Sequence, residues 1–578
     1  MTILEDVDLN FNLPIKYLDS KKIYEINEQM ADDLELQTYK NTSLYKKILN
    51  PKTKIGDTII PLWSKFYTDD VKYLNDTKTI LKTHNNKQFL VEKNDKIVDN
   101  FIDSTWIELQ NDVDFRSKYL YLDWDFLDFF NHYALFLQFF SMYNLASPLF
   151  SLIVPIMMLF LPFIFLRMRG KRITFDSYYN ILKEVLQNHS LGQLFNNFSE
   201  MHWQKRIYSL TSLFFYFFNV YQNILICFRF KLNIYRIHKY FDDIKSYIQY
   251  TEKRVTHFCK DRLKLQSYKN FFNLHLNNSN QLISYCDKLR QLSPMSFTIS
   301  KFKEIGRIML YFYNFHTDTK LKDCFITSFG FHGYLDCFEG LQNNIQEKKM
   351  AYCRYKTNKK SKFLQQYHPS LIDKDAIKND VKLDENMIVT GPNAAGKTTL
   401  IKSTIVNLLL SQQLGCGFYK SANVKPYQYI HCYLNIPDTS GRDSLFQAEA
   451  RRCKEILDKV YKNSDKRHFC IFDELYSGTN PYEAVASAYG YLNYLVKENN
   501  CNYILTTHFI NLCSLMENKN NVKNKHMQVI INEETQRLEY KYKFVTGVSK
   551  IKGGTFVLRD LDYPEEIVES AIQTLDKL

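Results

Sequence analysis

The residues with the clearest chemistry form a glycine-containing loop between a short apolar segment and a helix-like segment. Residues 387–390 predict a buried strand, and Thr399 begins a helical pattern; the loop between them reads Gly391-Pro392-Asn393-Ala394-Ala395-Gly396-Lys397-Thr398. This spacing is that of a P-loop, or Walker A motif. Its backbone N–H groups face phosphate oxygens, Lys397 reaches the β- and γ-phosphates, and the Thr398 hydroxyl holds Mg²⁺. The sequence therefore predicts ATP and Mg²⁺ binding by the loop and by Thr399.

Two further apolar segments end in residues that suit phosphoryl transfer. Residues 469–472 run into Asp473 and Glu474, and residues 503–506 precede Thr507 and His508. Asp473 is predicted to orient the Mg²⁺ shell and Glu474 to polarise or deprotonate the attacking water, because this reaction depends on positioning and charge neutralisation. His508 is predicted to contact the γ-phosphate or that water. Taken singly, each group could be a solvated strand end or a loop histidine. Their order after three strands predicts a nucleotide hydrolase.

Strands and helices must position these groups. Because each candidate follows a predicted strand, the expected fold class of the C-terminal region is an α/β P-loop ATPase domain. Between Lys231 and Lys349, apolar residues recur at three- and four-residue steps, which predicts amphipathic helices. The α/β domain is thus expected to follow a mainly α-helical core or lever region. Long lever arms and an ordinary helical bundle are both consistent with this periodicity.

Two uncharged runs before residue 230 are long enough to cross a membrane. Residues 145–166 are the densest part of the uncharged stretch from 133 to 166, and residues 207–228 form a more aromatic run. A helix needs about 20 apolar residues to span a bilayer. The basic residues between the runs favour the cytoplasmic side. A hairpin that dips in and returns, a single span with an acidic outer N-terminus, and core helices of a large helical domain all remain open.

The distribution of charge and the spacing of the cysteines indicate the kind of partner and the cellular compartment. The chain has 578 residues and a net charge of +13, but residues 1–130 carry 17 Lys+Arg against 23 Asp+Glu, so an anionic partner is expected to meet the later part. The 12 cysteines form no C-x-x-C pair, which predicts reduced thiols and an intracellular protein. The first 20 residues lack the pattern of a signal peptide. The composition excludes large-scale disorder.

Beyond the P-loop, several ordered motifs resemble the ATPase domain of MutS-type DNA mismatch repair proteins, in the ABC ATPase superfamily. They are Gln366-Tyr367-His368-Pro369, Lys378-Asn379-Asp380-Val381, Gln413-Leu414-Gly415-Cys416, Ser444-Leu445-Phe446-Gln447-Ala448-Glu449, the run from Asp473 to Thr479, Thr507-His508-Phe509, and residues 547–568. The resemblance covers residues 361–578. It implies an ABC-type, Mg²⁺-dependent ATPase with Gln413 in the nucleotide site. It also implies a homodimer or MutS-like heterodimer in which Ser444 of one subunit completes the site of the other.

Three features depart from the family pattern. Mismatch readers insert a Phe-x-Glu wedge, yet the first such triplet here is Phe198-Ser199-Glu200, between the two apolar runs. Leu445 stands where the family has threonine, and Tyr476-Ser477 replace the usual Gly-Arg. We therefore expect the ATPase motor without the N-terminal mismatch-recognition domain, and altered signalling between subunits.

Two functions are consistent with these observations. The first is an ATP-dependent DNA-binding protein whose hydrolysis opens and closes a dimer clamp, in mismatch repair or recombination. The alternative is a membrane-anchored MutS-like ATPase that moves a membrane or protein partner without recognising mismatches. The expected organisation is an acidic N-terminal region of unknown role (1–130), a hydrophobic helical region that is a candidate for membrane insertion (131–230), a helical core or lever region (231–360) and the MutS-like ATPase domain (361–578). The ATPase domain is expected to face the cytoplasm or nucleoplasm.

Overall fold

Helices make up most of the chain, and mixed β-sheets complete the fold. This is a computed structural model, and it describes residues 7, 10–37, 43–84, 96–168, 174–188, 202–294, 299–434, 444–519, 521–532, 537–551 and 553–577. The basic residues Arg169, Lys171 and Arg172 and the Phe198-Ser199-Glu200 triplet lie outside the described residues. All twelve cysteines are described, and all are free thiols.

The strands fall into one antiparallel pair, β1 with β2, and two larger sheets. In chain order they are β1 (Ile23–Glu25), β2 (Phe66–Thr68), β3 (Ala351–Arg354), β4 (Lys362–Gln366), β5 (Asn379–Lys382), β6 (Asn386–Thr390), β7 (Cys416–Gly417), β8 (Ser421–Asn423), β9 (Tyr429–Tyr433), β10 (His468–Asp473), β11 (Cys501–Thr506), β12 (Val522–Ile531) and β13 (Leu538–Thr546). The α-helices are Glu28–Asp33, Leu44–Leu49, Lys54–Thr58, Ile60–Trp63, Val71–Thr83, Lys96–Phe101, Ile107–Gln110, Phe115–Lys118, Ala134–Met168, Phe175–Asn188, Trp203–Cys259, Lys269–Arg290, Ile299–Phe302, Ile305–Thr317, Thr319–Gln346, Lys397–Gln413, Leu445–Lys462, Pro481–Leu495, Ile510–Met516, Gly554–Asp560 and Glu565–Lys577.

The six-stranded sheet positions the predicted site. Its order is β13-β12-β6-β11-β10-β9, and all neighbours are parallel except β12 and β13. Strands β6, β10 and β11 are apolar and almost wholly buried, as expected for parallel strands covered on both faces. The carboxyl ends of these three strands meet at one edge of the sheet, where ligands bind in open α/β sheets. The five-stranded sheet, of order β5-β4-β8-β3-β7, is mixed.

Contacts divide the chain into two compact units. The first contains residues 1–96, 254–277 and 326–578, and the second contains residues 97–253 and 278–325. This division differs from the four regions expected along the sequence, because the first unit combines an N-terminal segment with the region that carries the glycine loop. The four-region organisation stays a prediction.

Within the first unit, the N-terminal segment packs against the end of helix Lys397–Gln413. The Gln413 amide accepts a hydrogen bond from the Tyr45 hydroxyl (2.6 Å) and donates to the carbonyls of Trp63 (2.8 Å) and Phe66 (2.7 Å). The neighbouring Gln412 donates to the Thr68 carbonyl at 3.1 Å. Residues 45–68 therefore satisfy polar groups at the buried C-terminal end of this helix.

The second unit contains both apolar runs. Residues 145–166 lie in helix Ala134–Met168 and residues 207–228 in helix Trp203–Cys259. By length and composition, two helical stretches could cross a membrane, namely Ala134–Ile153 and Arg206–Cys259, and little of either stretch is buried. Helix Ala134–Met168 runs through Pro148, Pro155 and Pro162.

Candidate functional site

The glycine loop joins β6 to helix Lys397–Gln413 through residues in unusual backbone conformations. Gly391 has φ +153°, Ala394 +61° and Gly396 +92°. A Cβ atom at Gly396 would lie 3.1 Å from a ring carbon of Tyr542, so its left-handed conformation and its neighbour both favour glycine. The Lys397 side chain is buried, and its Nζ donates to the carbonyls of Gly391 (2.9 Å) and Pro392 (3.3 Å). The lysine is thereby held within the curve of the loop.

Asp473 links the loop to the ends of two strands. One carboxylate oxygen accepts a hydrogen bond from the Thr398 hydroxyl at 2.8 Å, and the other accepts from the Thr506 hydroxyl. Asp473 and Thr506 are direct partners in the β10–β11 pairing, so the register of the sheet fixes this contact. The two residues predicted to hold Mg²⁺, Thr398 and Asp473, are in direct contact.

Glu474, His508 and Lys397 form a triangle at the same edge of the sheet. His508 Nε2 lies 3.0 Å from Glu474 Oε1 and 3.0 Å from Lys397 Nζ. One ring nitrogen cannot donate to Glu474 and accept from Lys397 at the same time, so these contacts compete. Glu474 has φ +54°, and its backbone N–H donates to the Thr506 carbonyl at 3.0 Å, which fixes its position after the strand.

Burial and neighbouring groups shift the pKa values of Glu474 and Lys397 in this triangle. The hydrogen bond from His508 lowers the pKa of Glu474, against the effect of burial, and the carboxylate is ionised at neutral pH. Burial lowers the pKa of the Lys397 ammonium, while Glu474 and Asp473 oppose that shift. A cation, a carboxylate and an imidazole thus converge where the loop, β10 and β11 meet.

A cleft of about 590 Å³ opens beside the loop. Pro392, Asn393, Ala394, Ala395, Gly396, Lys397, Thr398, Thr399 and Glu474 line it together. Further lining residues were not among the predicted site residues, and they include His368, Ile377, Met527 and Tyr542. His368 belongs to a quoted motif, and its buried Nε2 has no hydrogen-bond partner among the described residues. Burial lowers the pKa of His368 to about 4, so the ring is a neutral polar group at the wall of the cleft.

Glu449 ties the helix that follows Ser444 to the loop that follows Glu474. Its buried carboxylate accepts hydrogen bonds from the Ser477 N–H (3.0 Å), the Ser477 hydroxyl (2.9 Å) and the Gly478 N–H (3.1 Å). Tyr476 has φ +59°, a conformation that favours glycine, and its ring packs against Phe446. The tyrosine found where the family has glycine therefore keeps a glycine-like backbone and adds a buried aromatic ring.

Gln413 and Ser444, both predicted site residues, lie away from this cleft and from the residues that line it. Gln413 lies at the opposite end of its helix, about 24 Å along the axis from Lys397 at 1.5 Å per residue. Its amide is occupied by residues 45–66, as described above. Ser444 caps helix Leu445–Lys462 in a reciprocal pair with Gln447, whose N–H donates to the Ser444 hydroxyl at 3.3 Å. Ser444 does not line the cleft of its own chain, so its predicted contact across a dimer stays a prediction.

The donor set suits Mg²⁺. A hydroxyl and a carboxylate oxygen 2.8 Å apart are hard oxygen ligands of the kind this ion prefers, with phosphate oxygens and water completing the shell. Among the described residues no cluster of three or more His, Cys, Asp or Glu could hold a metal by itself. An ion here would therefore bind with its nucleotide.

Comparison with known proteins gives a consistent result for the C-terminal region. Residues 387–578 match the family model "MutS domain V". The chain is 28% identical over 212 residues to DNA mismatch repair protein MutS of Prochlorococcus marinus, covering 36% of this chain and 23% of that protein. It is 27% identical over 266 residues to DNA mismatch repair protein MSH2 of Saccharomyces cerevisiae, covering 42% and 27%. It is 30% identical over 218 residues to DNA mismatch repair protein MutS of Aquifex pyrophilus, covering 36% of this chain and 25% of that protein. The match thus spans about a quarter of each relative. Over residues 387–578, the chain is therefore similar to domain V of the MutS family and to the corresponding part of these DNA mismatch repair proteins.

Proposed function

We propose that the protein is a Mg²⁺-dependent ATPase of MutS type, and that its hydrolysis cycle opens and closes a dimer. The observation that carries this proposal is the convergence of Lys397, the Thr398–Asp473 pair and the Glu474–His508 pair at one edge of the six-stranded sheet. Each group follows a different strand, and together they supply the charge neutralisation and positioning that phosphoryl transfer needs.

Each residue has a role in the proposed reaction. Thr398 and Asp473 would hold Mg²⁺, which would neutralise phosphate charge. Lys397 exchanges its contacts with the Gly391 and Pro392 carbonyls for phosphate oxygens. Glu474 accepts the proton of the attacking water as that oxygen bonds to the γ-phosphorus and the bond to ADP breaks. His508 donates a hydrogen bond to Glu474 or to the γ-phosphate and so holds the water in line.

Turnover and nucleotide binding by single variants test this proposal. Lys397→Ala is expected to abolish nucleotide binding or turnover. Glu474→Gln keeps the shape of the site and removes the base, so we expect ATP binding with turnover at least about 100-fold slower. Glu517→Gln, an exposed glutamate of the same region, is the matched control. Normal turnover by Glu474→Gln would refute the role of that residue.

The dimer is tested by mixing variants. If Ser444 completes the partner's site, a dimer that carries Ser444→Ala in one subunit and Lys397→Ala in the other retains one competent site. A dimer that carries both substitutions in each subunit retains none. The rate of ATP hydrolysis should therefore follow the number of competent sites in each dimer. Equal hydrolysis by every combination would contradict a site shared between subunits.

We propose DNA as the partner, in mismatch repair or recombination. The support is the role in the printed names of the relatives and the excess of basic residues after residue 130. The test is fluorescence anisotropy with matched, mismatched and branched duplexes at two salt concentrations, with and without ATP. ATP-modulated, salt-sensitive binding is expected, and no binding at low salt would refute it. We place the protein inside the cell, with its ATPase facing the cytoplasm or nucleoplasm, consistent with its free cysteines.

A second candidate function is a membrane-anchored MutS-like ATPase that moves a membrane or protein partner. The observation that favours it is the apolar surface of helices Ala134–Met168 and Trp203–Cys259, whose large side chains are mostly exposed. Detergent-dependent extraction together with no affinity for any duplex would favour this candidate over the first.

A further inference from the structure

Two long helices of the second unit lie antiparallel and in contact. The Tyr216 hydroxyl donates to the Ser151 carbonyl at 3.2 Å, and the Cys227 thiol lies 3.7 Å from the Leu145 carbonyl. The residue numbers rise on one helix as they fall on the other, so the two helices form an antiparallel hairpin. The intervening helix Phe175–Asn188 also packs against helix Ala134–Met168. The base of the hairpin is the end near Ala134 and Arg229, and its tip is the end near Arg167 and Arg206.

This register aligns the uncharged runs of the two helices. At about 1.5 Å per residue, residues 143–166 extend over roughly 36 Å and residues 207–228 over roughly 33 Å. Counting from the two contacts, Arg167 and Arg206 fall within about two helical turns of each other at the tip. Arg229 falls level with residues 138–143 at the base. The hairpin thus carries an uncharged slab with charged residues at both ends, and its thickness is close to the roughly 30 Å of a bilayer's hydrocarbon core.

The slab begins where packing within the second unit ends. At the base, the Gln138 amide donates to the Phe302 carbonyl (2.6 Å) and accepts from the Gly306 N–H (2.8 Å). A Cβ atom at Gly306 would lie 2.2 Å from the Ala134 carbonyl oxygen, so helix Ile305–Thr317 packs closely against the start of helix Ala134–Met168. Beyond this point, large apolar side chains face outward, among them Leu149, Phe160, Ile164, Phe214, Phe218 and Ile224.

Two of the three prolines in the slab, Pro148 and Pro155, leave carbonyl groups that the hairpin itself satisfies. A proline removes the N–H that would bond to the carbonyl four residues earlier. Pro148 frees the Asn144 carbonyl, which accepts a hydrogen bond from the Ser147 hydroxyl at 3.0 Å. Pro155 frees the Ser151 carbonyl, which is the one that Tyr216 reaches from the other helix. In water, solvent would satisfy such groups, whereas in lipid each must find a partner within the protein.

Polar side chains remain in the slab, and the buried Asn144 Nδ2 and Ser209 Oγ have no hydrogen-bond partner among the described residues. Asn223 Nδ2 donates to Asn219 Oδ1 at 2.9 Å on the same helix, so each amide has a local partner. No charged residue lies in either uncharged run. Basic residues stand at both ends of the slab, as suits contact with anionic lipid headgroups. A lipid bilayer is therefore the occupant that fits the apolar band and the charges that bound it.

We propose that the hairpin formed by residues 143–166 and 207–228 crosses the hydrocarbon core of a lipid bilayer, with Arg167 and Arg206 at the opposite face from Ala134 and Arg229. The exposed apolar side chains contact acyl chains. The arginines at the two ends contact anionic headgroups. The proposal concerns the anchor alone and does not depend on ATP hydrolysis or on DNA binding.

Vesicle flotation of the full-length protein tests insertion. The probe is a vesicle of phosphatidylcholine with 30% phosphatidylserine. Wild-type protein is expected to float with the vesicles in 1 M NaCl and in carbonate at pH 11. The variant Leu152→Lys with Phe218→Lys places two charges on exposed positions near the middle of the slab. We expect its partition to fall at least about 100-fold, the effect of a lysine at the centre of a membrane helix.

The matched control is Tyr235→Lys, which adds a charge at an exposed aromatic position on the same helix outside the slab. It is expected to float like the wild type. Release of the wild type by 1 M NaCl would show electrostatic surface binding and overturn the proposal. A detergent-free soluble oligomer that does not float would show that a second copy covers the slab, and would also overturn it. Unchanged ATP turnover in the lysine variants would confirm that the first unit stays folded.

Depth measurements test the crossing itself. A fluorophore attached at Phe218→Cys is expected to be quenched by lipids brominated near the acyl-chain ends, and one attached at Tyr235→Cys is not. Both labels are introduced with Cys227→Ser, since Cys227 is the one partly exposed cysteine. Quenching at Phe218→Cys by lipids brominated near the headgroup alone would place the hairpin at the surface and refute a crossing.

Discussion

Removing the carboxylate of Glu449 is expected to loosen the loop that follows the two acids. Glu449 accepts three hydrogen bonds, two of them from the backbone N–H groups of Ser477 and Gly478. In Glu449→Ala these N–H groups lose a charged acceptor, and a hydrogen bond to a charged group contributes about 1.5–3 kcal/mol. We therefore expect the local structure of residues 475–479 to be destabilised by about 3–5 kcal/mol.

Amide hydrogen exchange measures this effect where it occurs. Since about 1.4 kcal/mol corresponds to a factor of ten, exchange of the Ser477 and Gly478 amides should accelerate by roughly 100-fold or more in Glu449→Ala. Glu449→Gln retains one acceptor oxygen and should show a smaller acceleration. Because this loop follows Glu474 directly, we also expect a lower kcat for ATP with little change in KM.

Glu455→Ala is the control on the same helix. Glu455 is exposed and pairs with Arg452 at 3.0 Å, an interaction expected to contribute less than about 1 kcal/mol. Its loss should leave exchange at residues 475–479 unchanged. If Glu449→Ala also left that exchange unchanged, the inferred connection between the helix after Ser444 and the loop after Glu474 would be wrong.

Three further predictions concern other buried or cleft-lining residues. Tyr542→Ala is expected to raise the KM for ATP about tenfold with kcat nearly unchanged, because the ring lines the cleft without touching Glu474; Tyr461→Ala, at an exposed position, should have no effect. Burial lowers the pKa of His275 to about 3, so the unfolded chain gains a proton near pH 6.5 while the folded chain stays neutral. The free energy of unfolding should be constant above that pH and fall by about 2 kcal/mol by pH 5. His275→Phe keeps the packing on Phe271 and should reduce the accompanying loss of Tm. Tyr476→Gly relieves backbone strain of about 1 kcal/mol at a positive φ, but it removes the packing of a buried ring, which contributes about 3–5 kcal/mol. A net decrease in the urea midpoint of unfolding is therefore expected, and an increase would refute this reasoning.

Local patterns predicted the central strands well. Strands β6, β10 and β11 begin and end within two residues of the apolar segments identified from the sequence. Each is a short run buried on both faces, and each ends at a residue whose chemistry differs sharply from the run, such as Asp473. The loop from Gly391 to Thr398 carries its own signal because its glycine spacing serves backbone geometry.

Features that join distant parts of the chain could not be predicted in this way. Tyr542 reaches the cleft from β13, more than 140 residues after the glycine loop. No periodicity or motif distinguishes it from the other tyrosines of a tyrosine-rich chain. Gln413 was placed in the nucleotide site by family resemblance, whereas the structure uses its amide at the far end of the helix. Proximity along a motif is a poor guide once a helix of 17 residues intervenes.

The role of the N-terminal segment follows from the same contacts. The end of helix Lys397–Gln413 is buried against residues 45–68, and Lys402 on that helix pairs with Glu35 at 3.1 Å. Tyr67 adds a hydrogen bond to the Gln428 carbonyl (3.0 Å) and accepts one from the Ile430 N–H (3.1 Å), next to strand β9. If this segment moved independently, the buried amides of the helix would lose their partners at a cost of about 1–3 kcal/mol per group. Any displacement of the helix during the nucleotide cycle should therefore carry the N-terminal segment with it, so that these residues act as part of the motor.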